Sequence, residues 1–246
     1  MPAILAVETS TLTASVAILI DGAIAIEKES GVNSHSELLL PLIDDCLKAT
    51  NLALDDLHTI AVGAGPGSFT GLRIGMATVK GLCFAKGLSL TPVSSLAALA
   101  YDLMNEDAST LLVPVLDARR SEIYAGFYRR SGPTLESLGD ERVLAPEALA
   151  ALVKEHKAES VLLGGDGATK YKEQLAGIGP IDLQARQTPS ASAIAHLAQH
   201  MSPLEQISTA APTYVRLPEA QIKFPDGNPG GTFSVPKTAP KAEPKG

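Results

Sequence analysis

Three stretches carry residue types able to do chemistry at close spacing. The first is Glu8-Thr9-Ser10, a carboxylate and two hydroxyls placed directly after an apolar run. The second runs from Val62 to Gly75 and holds Gly63, Gly65, Pro66, Gly67, Ser68, Thr70 and Gly71. Glycines at this density allow positive φ and let a ligand or another backbone come close. A short apolar run before the loop and an apolar helix pattern after it make the unit strand, tight loop, helix N-terminus. Ser68 or Thr70 is placed to cap that helix. Such a unit suits either an anion or a packed backbone. The third stretch is Asp117 with Arg119 and Arg120, which reads as a site pair or as a turn with solvated charges.

Several familiar chemistries are excluded by spacing. No Gly-Lys-Ser/Thr closes the loop, so it is not a P-loop. Ser68 stands where a dinucleotide fingerprint needs its third glycine. Gly-Pro-Gly-Ser-Phe is not the Gly-x-Ser-x-Gly of a nucleophile elbow. His196 and His200 have the i, i+4 spacing of a zinc pair, but Leu-Ala-Gln lies between them and supplies no general base, so they read as two helix-surface histidines. His35 reads as a cap or surface residue. No metal site is expected, and no constellation makes a complete catalytic set.

The elements that must position these residues follow from apolar periodicity. Strands are expected at Ala3–Val7, Ala14–Ile20, Ala23–Glu27, Thr59–Gly63 and Ser89–Val93. Asp21-Gly22 between two apolar runs signals a hairpin. Helices are expected at Ser36–Thr50, with Pro41 starting its regular part or kinking it, at Leu72–Lys86 and at Leu96–Met104. The second half repeats the pattern, with strands at Leu111–Leu116, Glu122–Arg129 and Ser160–Gly164. Helices follow at Pro146–Lys154, around Lys170–Leu175 and at Ser190–Met201. Strand–loop–helix in both halves points to duplicated α/β domains.

Two helices are too apolar for an ordinary surface position. Leu39, Leu40, Leu42, Ile43, Cys46 and Leu47 span an arc of roughly 200°, against about 100° for a surface helix. In the next helix Leu72, Met76, Val79 and Cys83 form one stripe, and Ile74, Ala77, Gly81 and Ala85 a second on nearly the opposite side. Gly75 and Gly81 each cost about 1 kcal/mol relative to alanine, so a close neighbour is expected at both. Such a helix is central to its own domain, or it lies between its sheet and a partner subunit.

Composition sets the outer bounds. The chain has 246 residues, 45% hydrophobic, with a net charge of −7. An acidic chain is not built to neutralise phosphates, so nucleic-acid binding is not expected to be its main task. Aromatic residues are 4% and tryptophan is absent, which leaves few stacking platforms. Cys46 and Cys83 sit in helical patterns and read as buried thiols of a reducing compartment. The N-terminus lacks the basic and cleavage features of a signal peptide, and no apolar run is long enough to span a membrane. A cytoplasmic protein is expected. The last 30 residues hold six prolines, four glycines and four lysines, and residues 218–246 read as a disordered tail.

Taken together, Ala6-Val7-Glu8-Thr9-Ser10, the hairpin, Gly63–Gly75, Leu116-Asp117-Ala118-Arg119 and Tyr214-Val215-Arg216 resemble the TsaB family. These are bacterial subunits of the machinery that makes threonylcarbamoyladenosine in tRNA, once catalogued as glycoprotease-like. The resemblance covers about residues 3–217, and Gly-Pro-Gly-Ser-Phe-Thr-Gly-Leu-Arg is its most specific part. It implies the actin/Hsp70/sugar-kinase (ASKHA) fold, an α/β class of duplicated domains, each a mixed sheet flanked by helices. The expected domains are residues 1–105 and 106–217, the last helix packing back on the first domain. In that fold the first turn carries Asp, where this chain has Glu8, so Glu8, Thr9, Ser10 and Asp117 are expected to line a degenerate nucleotide cleft.

The resemblance further implies a non-catalytic scaffolding and activating subunit. Its partners would be the catalytic subunit TsaD in a heterodimer and TsaE in a ternary complex, with a homodimer when alone. Transfer RNA would be met only indirectly, no cofactor would be held tightly, and ATP would enter only in the complex. The partner face is expected at Leu40, Leu47, Leu72, Arg73, Met76, Val79, Lys80 and Cys83. The alternative is a small-molecule kinase or ATPase of the same superfamily.

Overall fold

Aliphatic runs bounded by turn residues become the strands of a mixed sheet. In a computed structural model that describes residues 3–30 and 35–216, β1 (Ala3–Glu8), β2 (Ser15–Ile20) and β3 (Ala23–Glu29) form an antiparallel meander. The β2–β3 turn is Asp21-Gly22, with φ of 51° and 83°. Two successive positive φ values match the twist of the flanking strands. β4 (Leu57–Gly63) and β5 (Ser89–Val93) extend the sheet parallel to β1 in the order β3-β2-β1-β4-β5. A mixed sheet flanked by helices is the α/β architecture expected of this half.

Both faces of this sheet are covered. On one lie α1 (His35–Thr50), packed on β2 and β3, and α2 (Phe69–Lys86), packed on β4, β5 and α1. Leu39, Ile43, Cys46 and Leu47 of α1 and Met76, Val79 and Cys83 of α2 join Leu5, Val7, Ile18, Ile60 and Val62 in one core. Fully burying each such aliphatic side chain contributes about 1.5–3 kcal/mol. Pro41 lies within the first turns of α1, which runs on to Thr50. α3 (Ser95–Asp102) follows β5, capped by the Ser94 hydroxyl, which accepts from Ala97 N at 3.0 Å.

The second half begins with β6 (Leu111–Arg119), β7 (Glu122–Ala125), β8 (Tyr128–Ser131), β9 (Thr134–Ser137) and β10 (Arg142–Leu144). α4 (Leu149–Glu155), β11 (Val161–Gly164), α5 (Asp166–Lys170) and α6 (Ala191–Ala198) complete it. The strands form a second sheet ordered β10-β7-β6-β8-β9, with β11 parallel to β6. One of its faces packs on α4 and on residues up to Leu175, and the other on α3. α6 leaves its own half and packs on the outer face of the first sheet, against Ile4, Ala6, Ala17 and Ala61.

Several expectations are corrected here. The strand expected at Glu122–Arg129 is two strands, broken at Gly126-Phe127, where the Tyr128 ring lies against the Gly126 backbone. The helix expected to start at Leu72 begins at Phe69 with Ser68 as its cap. The helix near Lys170 lies earlier, at Asp166–Lys170. β9 and β10 had not been expected. The stretch read as a tail lies outside the described residues. Among the described residues no helix is long and apolar enough to cross a membrane.

Candidate functional site

The C-terminal end of β1 carries Glu8, and the glycine loop between β4 and α2 closes over it. Glu8 is fully buried. Its Oε1 accepts from Ser10 N, and its Oε2 accepts from the Ser95 hydroxyl at 2.8 Å. Burial raises its pKa, and the Ser10 and Ser95 donors pull the other way. A Cβ at Gly63 would collide with the Glu8 carboxylate, one at Gly67 with Ser10 O, and one at Gly75 with Thr9 Oγ1. These glycines are therefore the space into which Glu8-Thr9-Ser10 is laid.

Several of the loop's own donors are also spent inside the chain. Ser68 N donates to Ser10 O at 2.6 Å, Gly65 N to Ser95 Oγ at 3.2 Å, and Ala64 N to Val93 O at 2.7 Å. Thr9 Oγ1 donates to Gly71 O at 2.9 Å, and Gly71 N donates back to the Ser68 cap at 3.3 Å. Of the two uses open to a glycine loop, this geometry is that of a packed backbone. Gly81 departs from expectation, because no atom comes within 4 Å of a Cβ built there.

Asp117 belongs to the other sheet, near the end of β6. Its carboxylate accepts from Lys170 Nζ at 2.7 Å, Tyr171 OH at 3.2 Å and Arg119 N at 2.9 Å. Burial works to raise its pKa, yet these donors and the Lys170 charge hold it below the ordinary carboxylate range. The Asp117 backbone N–H donates to Asp166 Oδ1 at 2.9 Å, and burial raises the pKa of Asp166. Asp117 is thus an anchored strand residue of β6, just before the turn at Arg120-Ser121, which corrects its reading as a turn residue. Glu8 and Asp117 hold separate sets of neighbours.

The side chains expected to meet a partner divide by burial. Leu47, Leu72, Met76, Val79 and Cys83 are at most 8% exposed, so they belong to the chain's own core and correct the expected partner face. Leu40 is 54% exposed and stands outward with Leu38 at 40% and Phe84 at 63%. Arg73 and Lys80 serve a segment near the C-terminus. Lys80 Nζ donates to Ser208 O at 3.1 Å and Ala210 O at 2.9 Å. Arg73 Nε donates to Tyr214 OH at 3.1 Å while its guanidinium lies 3.8 Å over the Phe69 ring. Thr213 N donates to Ala64 O at 2.7 Å, which ties this strap to the glycine loop.

The two histidines differ in their surroundings. His196 stacks on Tyr101 with ring centroids 5.4 Å apart, and its pKa is lowered by burial and by His200. Among the described residues no group of three or more His, Cys, Asp or Glu is placed to hold a metal ion. Both cysteines are buried and free, and burial pushes the Cys83 thiol up to about 11. Sequence reading missed a half-buried carboxylate, Glu141, whose Oε1 accepts from Tyr128 OH at 2.5 Å and from the Ser94 hydroxyl. Nothing in its polar, turn-rich surroundings signals that role.

Known proteins fit this geometry closely. The family model described as "TsaD: tRNA N6-adenosine threonylcarbamoyltransferase" matches residues 26–224. The Bacillus subtilis tRNA threonylcarbamoyladenosine biosynthesis protein TsaB is 31% identical over 90% of this chain and 97% of its own length. Its Escherichia coli namesake is 33% identical over 65% of this chain and 70% of its own. A crystal structure of a Pseudomonas aeruginosa protein, described as similar to the peptidase YeaZ, superposes with a TM-score of 0.77 at 32% identity. It covers 88% of this chain and all of that one.

Proposed function

We propose, from the premise that the chain belongs to the TsaB family of tRNA threonylcarbamoyladenosine biosynthesis proteins, that it is the non-catalytic scaffolding and activating subunit of that pathway. In this reading it docks the catalytic subunit TsaD through the α1–α2 layer. The observation that carries the non-catalytic part is the filled glycine loop. Where a phosphate would need open space and N–H groups, Glu8-Thr9-Ser10 occupies the space and the Ala64, Gly65 and Ser68 N–H groups have internal acceptors.

The docking surface follows from what remains exposed. Leu38 and Leu40 on α1 and Phe84 on α2 are exposed large apolar side chains on two helices that pack together. Apolar anchors on adjacent helices suit a helix-to-helix interface. The same surface would serve a homodimer when the partner is missing. ATP and TsaE act in the assembled complex, and tRNA is held by the partner.

Light-scattering mass of the full chain, alone and mixed with TsaD from the same organism, tests this. A one-to-one complex is expected. Phe84→Asp together with Leu40→Asp should abolish it while the circular dichroism of the chain stays unchanged. Persistence of the complex in that variant moves the interface elsewhere. Tight Mg-ATP binding by the lone chain in calorimetry would favour the kinase or ATPase reading instead.

A further inference from the structure

A buried and a half-buried carboxylate from different halves of the fold hang on two neighbouring serines. Ser95 Oγ donates to Glu8 Oε2 at 2.8 Å and accepts from Gly65 N at 3.2 Å, while Ser95 N donates to Gly65 O at 2.8 Å. Ser94 Oγ donates to Glu141 Oε1 and accepts from Ala97 N as the cap of α3. Tyr128 OH donates to the same Glu141 oxygen. Glu141 lies between β9 and β10, whereas Glu8 ends β1. α3 itself packs its leucines on the second sheet and Ala98 on the α6 side of the first.

We propose that Ser94-Ser95, at the start of α3, is a joint coupling the Glu141 loop of the second half to the Glu8 loop of the first. The contacts continue from Glu8 to Ser10, from Ser10 O to Ser68 N, and from Ser68 into the cap of α2. Displacing the Glu141 loop shifts Ser94, and the rigid dipeptide carries that shift to Ser95 and its carboxylate. The inference stands independently of which partner docks.

Native-state amide exchange on the full chain is the test. The probes are the N–H groups of Ser10, Gly65 and Ser68, whose acceptors are Glu8 Oε1, Ser95 Oγ and Ser10 O. Glu141→Ala should speed their exchange about tenfold, the worth of one hydrogen bond to a charged group. The Leu204 amide, bonded to Leu90 O, should keep its rate. Glu141→Gln, which retains an acceptor oxygen, should restore most of the protection. Tyr128→Phe should move the same three amides in the same direction by less, and it decides the matter if Glu141→Ala does not fold. Acceleration confined to residues 138–144 overturns the joint. So does uniform acceleration that includes Leu204.

Discussion

A single glycine inside a helix ordinarily weakens it, and here one such glycine does the opposite. Gly75 lies against Thr9 Oγ1, which donates to Gly71 O one turn earlier. Alanine at a helix interior normally stabilises by about 0.5–1 kcal/mol. At Gly75 the new methyl displaces the Thr9 hydroxyl, and overpacking costs about 1–3 kcal/mol. Gly75→Ala should therefore lower the urea midpoint, by a net loss of about 2 kcal/mol. Gly81→Ala on the same helix meets no atom within 4 Å and should raise the midpoint by the usual increment. Equal effects at both positions would remove the packed-backbone account of the loop. The glycine density of this loop was legible in the sequence, and so was its bracketing by strand and helix. Its contents were not, because Ser95, the donor to Glu8, lies 87 residues away in the chain.

At the scale of elements, α2 shows how an apolar helix can mislead. Its two stripes suggested a sheet on one side and a partner on the other. The stripe of Leu72, Met76, Val79 and Cys83 is the inner one. Part of α2 is covered by the chain itself: the 3-10 turn at Ile207–Thr209 lies on it, Ala210 is buried in the first core, and Ile74, Leu204 and Ile207 pack against that core. No periodicity announces that strap, since its only regular element is a single 3-10 turn at Ile207–Thr209. β9 and β10 escaped notice for a similar reason, being three to four residues long with few aliphatics. The Asp21-Gly22 hairpin was legible because both turn residues adopt positive φ, which that dipeptide favours. Lys80 is the polar fastener of the strap. Lys80→Met keeps the stem and removes both donors to Ser208 O and Ala210 O. The expected result is faster amide exchange at Ala210 and Thr213, with a loss of about 1–2 kcal/mol. Unchanged exchange there would assign the strap's hold to its apolar contacts alone.

For the molecule as a whole, burial of carboxylates sets an unusual dependence on pH. Glu8, Asp102, Glu141 and Asp166 all have raised pKa values, with burial the largest cause in each. A group whose folded pKa is raised adds stability below its unfolded pKa, and that stability is lost as pH rises through the folded value. Asp107 and Asp117 have lowered values and act in the opposite sense. Asp102 is the sharpest case. It ends α3, where exposed helix carbonyls already disfavour a negative charge. Ser190 Oγ donates to its Oδ1 at 3.3 Å, its Oδ2 is buried without a partner, and nearby Glu27 repels it. Its pKa is pushed up from 3.8 to about 7. The stability at stake between those values is at most about 4 kcal/mol, at roughly 1.4 kcal/mol per pKa unit. Asp102→Asn removes the titration but leaves a buried amide without acceptors, at a cost of about 1–3 kcal/mol. The variant should thus be less stable than the parent at pH 4.5 and more stable at pH 8, with the two unfolding curves crossing between. Denaturant melts at both pH values measure it. The same offset at both would show that Asp102 stays ionised in the fold, and that the first and second halves meet across a charge rather than a protonated acid.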